Sequence, residues 1–340
     1  MRIFLASMAR VVAALLLASL TVPAAGQPAP NTQAPAVAQP VCAKNPPATP
    51  ALTRLRAAMA HGRFIDYPPT SQQVIYGRPT RADPASIRAD LTVLRPRFDA
   101  LITYTSVNGA EAIPDIATRL GFHAVIIGIW NPFNATDLDA ALTAAQKNPR
   151  IVVGLSLGNE MLFFHQHKPE ELEKLLDAVH ARAPGLALTT TEPFHMFAEP
   201  ELHPVLQRMD FLLANVHPVF QPWFHTASNT DSVQFVLNVV SQLAQQYCGP
   251  ILVKETGIPT APAPAGFTEH RQAEFYAELA RRFPASPDRA FAYYEAFDAP
   301  WRLKDYALGK APEEEEAHWG LYDERRQPKE VVASIKPLAH

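Results

Sequence analysis

Two carboxylates stand out by position. Glu160 closes the run Ile151 to Glu160 (IVVGLSLGNE), and Glu255 closes Ile251 to Glu255 (ILVKE), which continues as Thr256, Gly257, Ile258 and Pro259. Each run is short, largely apolar and β-branched, the pattern of a strand buried on both faces. Carboxylates on two such strand ends suggest a facing pair. Such a pair, with amides and aromatics around it, suits cleavage of a glycosidic bond: one carboxyl protonates the leaving oxygen and the other attacks the anomeric carbon. Neither step needs a cofactor, and none is expected. Asn159 and His217 supply hydrogen-bonding groups, and Trp130, Trp223, Trp301 and Trp319 offer flat apolar faces to sugar rings. Glu192 and Glu295 also fall at strand ends and are expected among the substrate-binding residues, as hydrogen-bonding groups supporting the pair.

Something must bring these residues to one place. Strands are expected at Phe64 to Tyr67, Ala100 to Ser106, His123 to Trp130, Ile151 to Glu160, Leu186 to Pro193, Phe211 to Pro218, Ile251 to Gly257 and Ala290 to Phe297. Helical patterns lie at Ala51 to His61, Pro84 to Leu94, Ala110 to Leu120, Asp137 to Gln146, Pro169 to Ala183, Ser232 to Tyr247 and Thr268 to Arg282, several opened by Pro, Ser, Thr or Asp. The stretch from Phe194 to Asp210 is less regular. Eight strands alternating with helices point to an α/β fold, a (β/α)8 TIM barrel in a single domain. A doubly wound open sheet is the alternative, but its Gly-rich phosphate turn is missing: Tyr67 is followed by Pro68 and Pro69. In a barrel, active sites lie at the C-terminal strand ends, where Trp130, Asn159, Glu160, Glu192, His217, Glu255 and Glu295 all fall. No metal is expected, since His217, His225 and His318 lack the spacing of a zinc helix and HExxH is absent. A GxSxG elbow is absent too.

The remaining features bound the partners. The chain has 340 residues, 48% hydrophobic and 19% charged, with 30 Lys and Arg against 33 Asp and Glu. That balance gives no electrostatic footprint for nucleic acid, so the expected partner is a polysaccharide or oligosaccharide and the chain a monomer. Residues 1–26 have the pattern of a signal peptide: Arg2 and Arg10, an apolar region from Val11 to Leu20, and small residues at Ala24, Ala25 and Gly26. The apolar region is shorter than the ~20 residues of a membrane span, so a periplasmic or secreted location is expected, with no span. Residues 27–50 form a Pro- and Ala-rich tether, and 51–340 the catalytic barrel. Export would allow Cys42 and Cys248 to pair, and two unrelated thiols are the alternative.

The stretches GLSLGNEML, LTTTEPF, ANVHPVF, KETGIPT, YYEAFDAPW and HWGLYD resemble, in order and spacing, those of glycoside hydrolase family 17, from about Phe64 to Lys329. KETGIPT is similar to a bacterial subgroup. The resemblance implies that Glu160 is the acid/base, Glu255 the nucleophile and Asn159 an amide partner of the substrate. It also implies a retaining mechanism on β-1,3-linked glucan, by hydrolysis or transglycosylation. Ile258 stands where the family often has Trp, Ala299 where a polar residue commonly follows FD, and Arg302 in place of a frequent Lys. A glucan-binding barrel without turnover is the contrasting hypothesis.

Overall fold

The computed structural model describes residues 49–75, 78–304 and 313–338. The expected signal peptide, nearly all of the tether and Cys42, one of the two cysteines that export would allow to pair, lie outside the described residues. Eight parallel strands close into a barrel in chain order: β1 (Phe64–Asp66), β2 (Ala100–Ile102), β3 (Ala124–Ile129), β4 (Val152–Asn159), β5 (Ala187–Pro193), β6 (Leu212–Asn215), β7 (Ile251–Glu255) and β8 (Arg289–Tyr293). Closure is made by β1, which pairs Phe64 with Ala100 on one side and with Ala292 on the other. All eight expected strands are present, shortened chiefly where their C-terminal residues leave the sheet to form the mouth.

Strands buried on both faces need apolar side chains in both directions, and β3 (AVIIGI) is buried at every position. One set of side chains fills the barrel: Phe64, Ala100, Ile102, Ala124, Ile126, Val153, Ala187, Leu213, Leu252, Ala290 and Ala292 form a cluster drawn from every strand. The alanines leave room for Phe64 and Phe211, and at Gly154 a Cβ would meet the Phe211 ring at 3.0 Å. Helix α1 (Pro50–His61) stoppers this interior from the N-terminal end, contributing Leu52, Leu55 and Met59. Thr49 caps that helix by accepting from the Leu52 amide, an arrangement worth about 1 kcal/mol.

The alternate side chains, Ile65 and Tyr67 among them, face the second cluster between sheet and helices. That outer layer comprises α2 (Pro84–Leu94), α3 (Ile113–Arg119), α4 (Ala135–Lys147), α5 (Pro169–Arg182), α6 (His203–Leu206), α7 (Asn229–Gln246), α8 (Glu269–Arg282) and α9 (Glu330–Ser334). The expected helix from Ala110 is divided: Ala110–Ala112 is a 3-10 turn and the α-helix begins at Ile113. Pro114 explains the division, because a residue without an amide hydrogen is tolerated only in the first turn of a helix. The irregular stretch after β5 contains 3-10 turns at Phe194–Ala198 and Pro200–Leu202 and one short helix, α6.

Candidate active site

The C-terminal mouth gathers the residues expected there, and local backbone irregularities aim them. Pairing of β4 with β5 shifts between Ser156 and Asn159, where Gly158 adopts φ +91°. A Cβ at Gly158 would lie 2.2 Å from the Met161 side chain, so the turn requires glycine both for conformation and for space. Glu160 follows at φ +56°, a region disfavoured for residues with side chains. Its amide donates to Thr191 O at 2.7 Å. On the opposite side, β6 and β7 shift register between Ala214 and Asn215, so that Asn215 pairs with Glu255 and Lys254 is passed over. Consecutive strand residues normally face opposite ways. Here Lys254 and Glu255 instead meet, with Nζ 2.9 Å from Oε1.

Glu255 is 6% exposed and surrounded by donors. Its Oε1 accepts from Tyr104 Oη at 2.8 Å and from Lys254 Nζ, while His217 Nε2 lies 3.3 Å from Oε2. Burial alone would raise this carboxyl. The Lys254 charge and the His217 hydrogen bond outweigh burial and bring it down to about 2. Oε1 is thus held by two strong donors and Oε2 by one longer contact, which leaves Oε2 the better placed to attack. Lys254 also donates to Asn159 Oδ1 at 2.6 Å and sits 4.0 Å from the centre of the Tyr104 ring. That contact fixes the amide orientation of Asn159, whose Nδ2 hydrogens remain as its donors.

Glu160, also 6% exposed, behaves oppositely. Burial is the main cause raising it to about 6, the Glu255 charge adds to the rise, and a hydrogen bond from Asn215 opposes it. Asn215 Nδ2 donates to Oε1 at 2.8 Å, which places the acidic proton on Oε2. One carboxyl is pushed toward the protonated form and the other toward the ionised form, a split that acid/base chemistry can use between about pH 2 and 6.

The other expected residues divide by burial. Glu192 is fully buried and accepts the Leu162 and Phe163 amides at 3.0 and 3.1 Å, in the turn just after Glu160. Glu295 is fully buried as well and forms a two-pronged pair with Arg302, at 2.8 and 2.9 Å. Burial raises Glu295 to about 7 against the pull of that guanidinium. Both carboxyls therefore act on protein groups, since neither presents surface to a sugar. His217 meets Phe220, Tyr294 and Trp319 edge to face at 5.2 Å each. Trp319, expected as a sugar platform, is 1% exposed and packs in that cluster instead, because its ring is wedged between His217 and Tyr294. Trp130 and Trp301 are half-buried on the loops after β3 and β8, with the Arg302 guanidinium 5.7 Å from the Trp301 ring.

Asn215 was expected at the end of β6 but without a role, and three residues at the mouth escaped the sequence reading: Tyr104, Lys254 and Asp66. Asp66 shares the inward face of β1 with Phe64. It is fully buried, and neither carboxyl oxygen has a hydrogen-bond partner among the described residues. Burial raises it well above the usual carboxylate range, with Lys254 opposing and Glu255 and Glu295 adding to the rise. A second charged residue beside Glu255 in an otherwise apolar strand was the available signal for Lys254, and a polar residue within the expected strand Ala100 to Ser106 the signal for Tyr104. No group of three or more His, Cys, Asp or Glu among the described residues has the geometry to hold a metal ion. No helix of the described residues is long and apolar enough to cross a membrane.

Comparison with known proteins gives three kinds of match. The BtgE/BtgC glycoside hydrolase domain matches residues 65–320. The glucan 1,3-beta-glucosidase of Arthroderma benhamiae is 28% identical over 264 residues, covering 73% of this chain and 84% of that protein. Among solved structures, the glycoside hydrolase family 17 beta-1,3-glucanosyltransferase of Rhizomucor miehei is similar with a TM-score of 0.62 at 20% identity, over 81% of this chain and 98% of that one. A GH128 endo-beta-1,3-glucanase from Sorangium cellulosum has a TM-score of 0.52 at 18% identity, over 81% and 97%. At these identities the two structures establish the shared barrel fold.

Proposed function

Because the chain belongs to the BtgE/BtgC glycoside hydrolase domain family and is therefore a glycosidase, we propose that it acts on β-1,3-linked glucan or gluco-oligosaccharides by a retaining mechanism, as an exported enzyme. The observation that carries the reading is the opposed protonation of two neighbouring carboxyls, Glu160 at about 6 and Glu255 at about 2. Between those values Glu160 holds a proton to give and Glu255 is an anion able to attack.

In the first step Glu160 Oε2 gives its proton to the glycosidic oxygen as that bond to the anomeric carbon breaks. Glu255 Oε2 forms a new bond to the same carbon, leaving a glycosyl ester. Tyr104 and Lys254 hold the other oxygen, Oε1, so the carboxylate cannot rotate away. In the second step Glu160, now ionised, takes a proton from an incoming hydroxyl, whose oxygen displaces Glu255. Water as acceptor gives hydrolysis, and a sugar hydroxyl gives transfer. Asn159, fixed by Lys254, offers its amide hydrogens to a sugar hydroxyl beside the reacting carbon.

The β-1,3-glucan preference is supported by the motifs and by the named activity of the A. benhamiae relative. Incubation with laminari-oligosaccharides of defined length, followed by sizing of the products, tests it. Shorter products, or a mixture of shorter and longer ones, are expected. Intact substrate after prolonged incubation would remove the β-1,3 assignment, and bound but uncleaved substrate would favour the glucan-binding alternative.

A further inference from the structure

Glu160 sits where the backbone resists being placed. A residue with a side chain at positive φ costs on the order of 1–3 kcal/mol and persists only when its surroundings over-determine it. The turn that follows has amides needing acceptors. Phe164 N bonds back to Glu160 O at 3.0 Å and Gln166 N to Met161 O at 2.9 Å. Leu162 and Phe163 are met by the two oxygens of one side chain, Glu192, at 3.0 and 3.1 Å. The residue before it, Thr191, accepts the Glu160 amide through its carbonyl at 2.7 Å. Two consecutive residues of β5 therefore grip the Glu160 turn, one by backbone and one by its side-chain carboxyl.

That grip uses an unfavourable group. Glu192 is fully buried, and burial raises it to about 8; the two amide bonds oppose the rise and the Glu160 charge adds to it. A buried carboxyl near another carboxyl is a poor choice for stability alone. An apolar residue would fill the space, but it would leave the buried Leu162 amide and the part-buried Phe163 amide without acceptors.

We propose that Glu192 is the positioning residue of the acid/base: it clamps the Leu162 and Phe163 amides so that the left-handed turn holds Glu160 against the leaving-group oxygen. This rests on the assignment of Glu160 as the acid. Glu192 itself touches no reacting atom. Misplacement of a reacting group by about 1 Å can cost roughly 10²-fold in rate, and in the first step, which kcat/KM reports, the loss should fall only where the leaving group needs a proton from Glu160.

The test is Glu192→Gln, in which one acceptor oxygen becomes a donor NH2 facing an amide N–H. On laminari-oligosaccharides, whose leaving groups need a proton, kcat/KM should drop about 10²-fold. On dinitrophenyl β-glucoside, which leaves without a proton, it should change by less than about threefold, and this substrate also reports that the cleft is folded. Glu192→Ala, lacking both acceptors, should show the same split. Equal losses on the two substrates, or no loss on either, would overturn the clamp. Glu160→Gln measured in parallel separates the two assignments. If it discriminates between leaving groups while both Glu192 variants do not, only the clamp fails. If it does not discriminate, the acid assignment fails, and the clamp with it.

Discussion

Replacing Glu255 with glycine is expected to lower kcat/KM on β-1,3-gluco-oligosaccharides by several orders of magnitude, approaching the roughly 10⁶-fold that loss of a nucleophile brings in a serine protease. The expectation follows from the contacts. Among the described residues, Tyr104, Lys254 and His217 all make their side-chain contacts to a carboxyl at the mouth through this one carboxylate. Removing it also strands the Lys254 ammonium, whose side chain is 2% exposed, with Asn159 as its remaining hydrogen-bond acceptor. Breaking a buried ion pair in this way costs roughly 3–5 kcal/mol, so the melting temperature should fall as well. The same stranded charge gives the vacated space an affinity for small anions. Added azide should enter it, attack an activated β-glucoside directly and give a glycosyl azide of inverted configuration. A glycine variant as active as the parent without azide would place the nucleophile elsewhere.

The second large effect is on the acid. Glu160→Ala should reduce turnover of oligosaccharides by about 10²–10⁴-fold, the usual contribution of a general acid, while activated aryl glucosides suffer much less in the first step. Azide with this variant should give product of retained configuration, because the anion intercepts the glycosyl ester on Glu255. The parent's pH profile carries the same information. Activity should rise as pH climbs through about 2, where Glu255 ionises, and fall as it climbs through about 6, where Glu160 loses its proton. The two groups interact, so these limits belong to the pair. Loss of Glu160 removes the group responsible for the alkaline limb, and kcat/KM on an aryl glucoside should then stay level above pH 6. A variant that keeps the alkaline limb unchanged would show that another group sets it.

Much of this site could be read from the chain. All eight strands were visible because a parallel sheet covered on both faces needs unbroken apolar runs, and Glu160 and Glu255 were visible because each ends such a run. The second layer was hidden for a geometric reason. Tyr104 and Lys254 are 150 residues apart in number and meet only when β2 and β7 close around the same interior. Nothing in ILVKE shows that the register shift at Lys254 turns it toward Glu255, since strict alternation would point the two apart. Asp66 reads as the ordinary polar end of a strand until closure leaves its oxygens without partners. Trp319 was misread because exposure cannot be judged from a loop position. Its neighbours His217 and Tyr294 come from the segments just after β6 and β8, and only the assembled mouth shows that they enclose it.

The central claim is that Glu255 becomes covalently glycosylated, and trapping tests it most directly. An activated 2-deoxy-2-fluoro-β-glucoside reacts quickly in the first step because of its leaving group and slowly in the second because fluorine disfavours the charge that develops at the anomeric carbon. The ester should therefore accumulate and be recovered by peptide mass mapping. One adduct on the peptide that contains Lys254, Glu255 and Thr256 is the predicted result; an adduct on Glu160 or any other residue would contradict it.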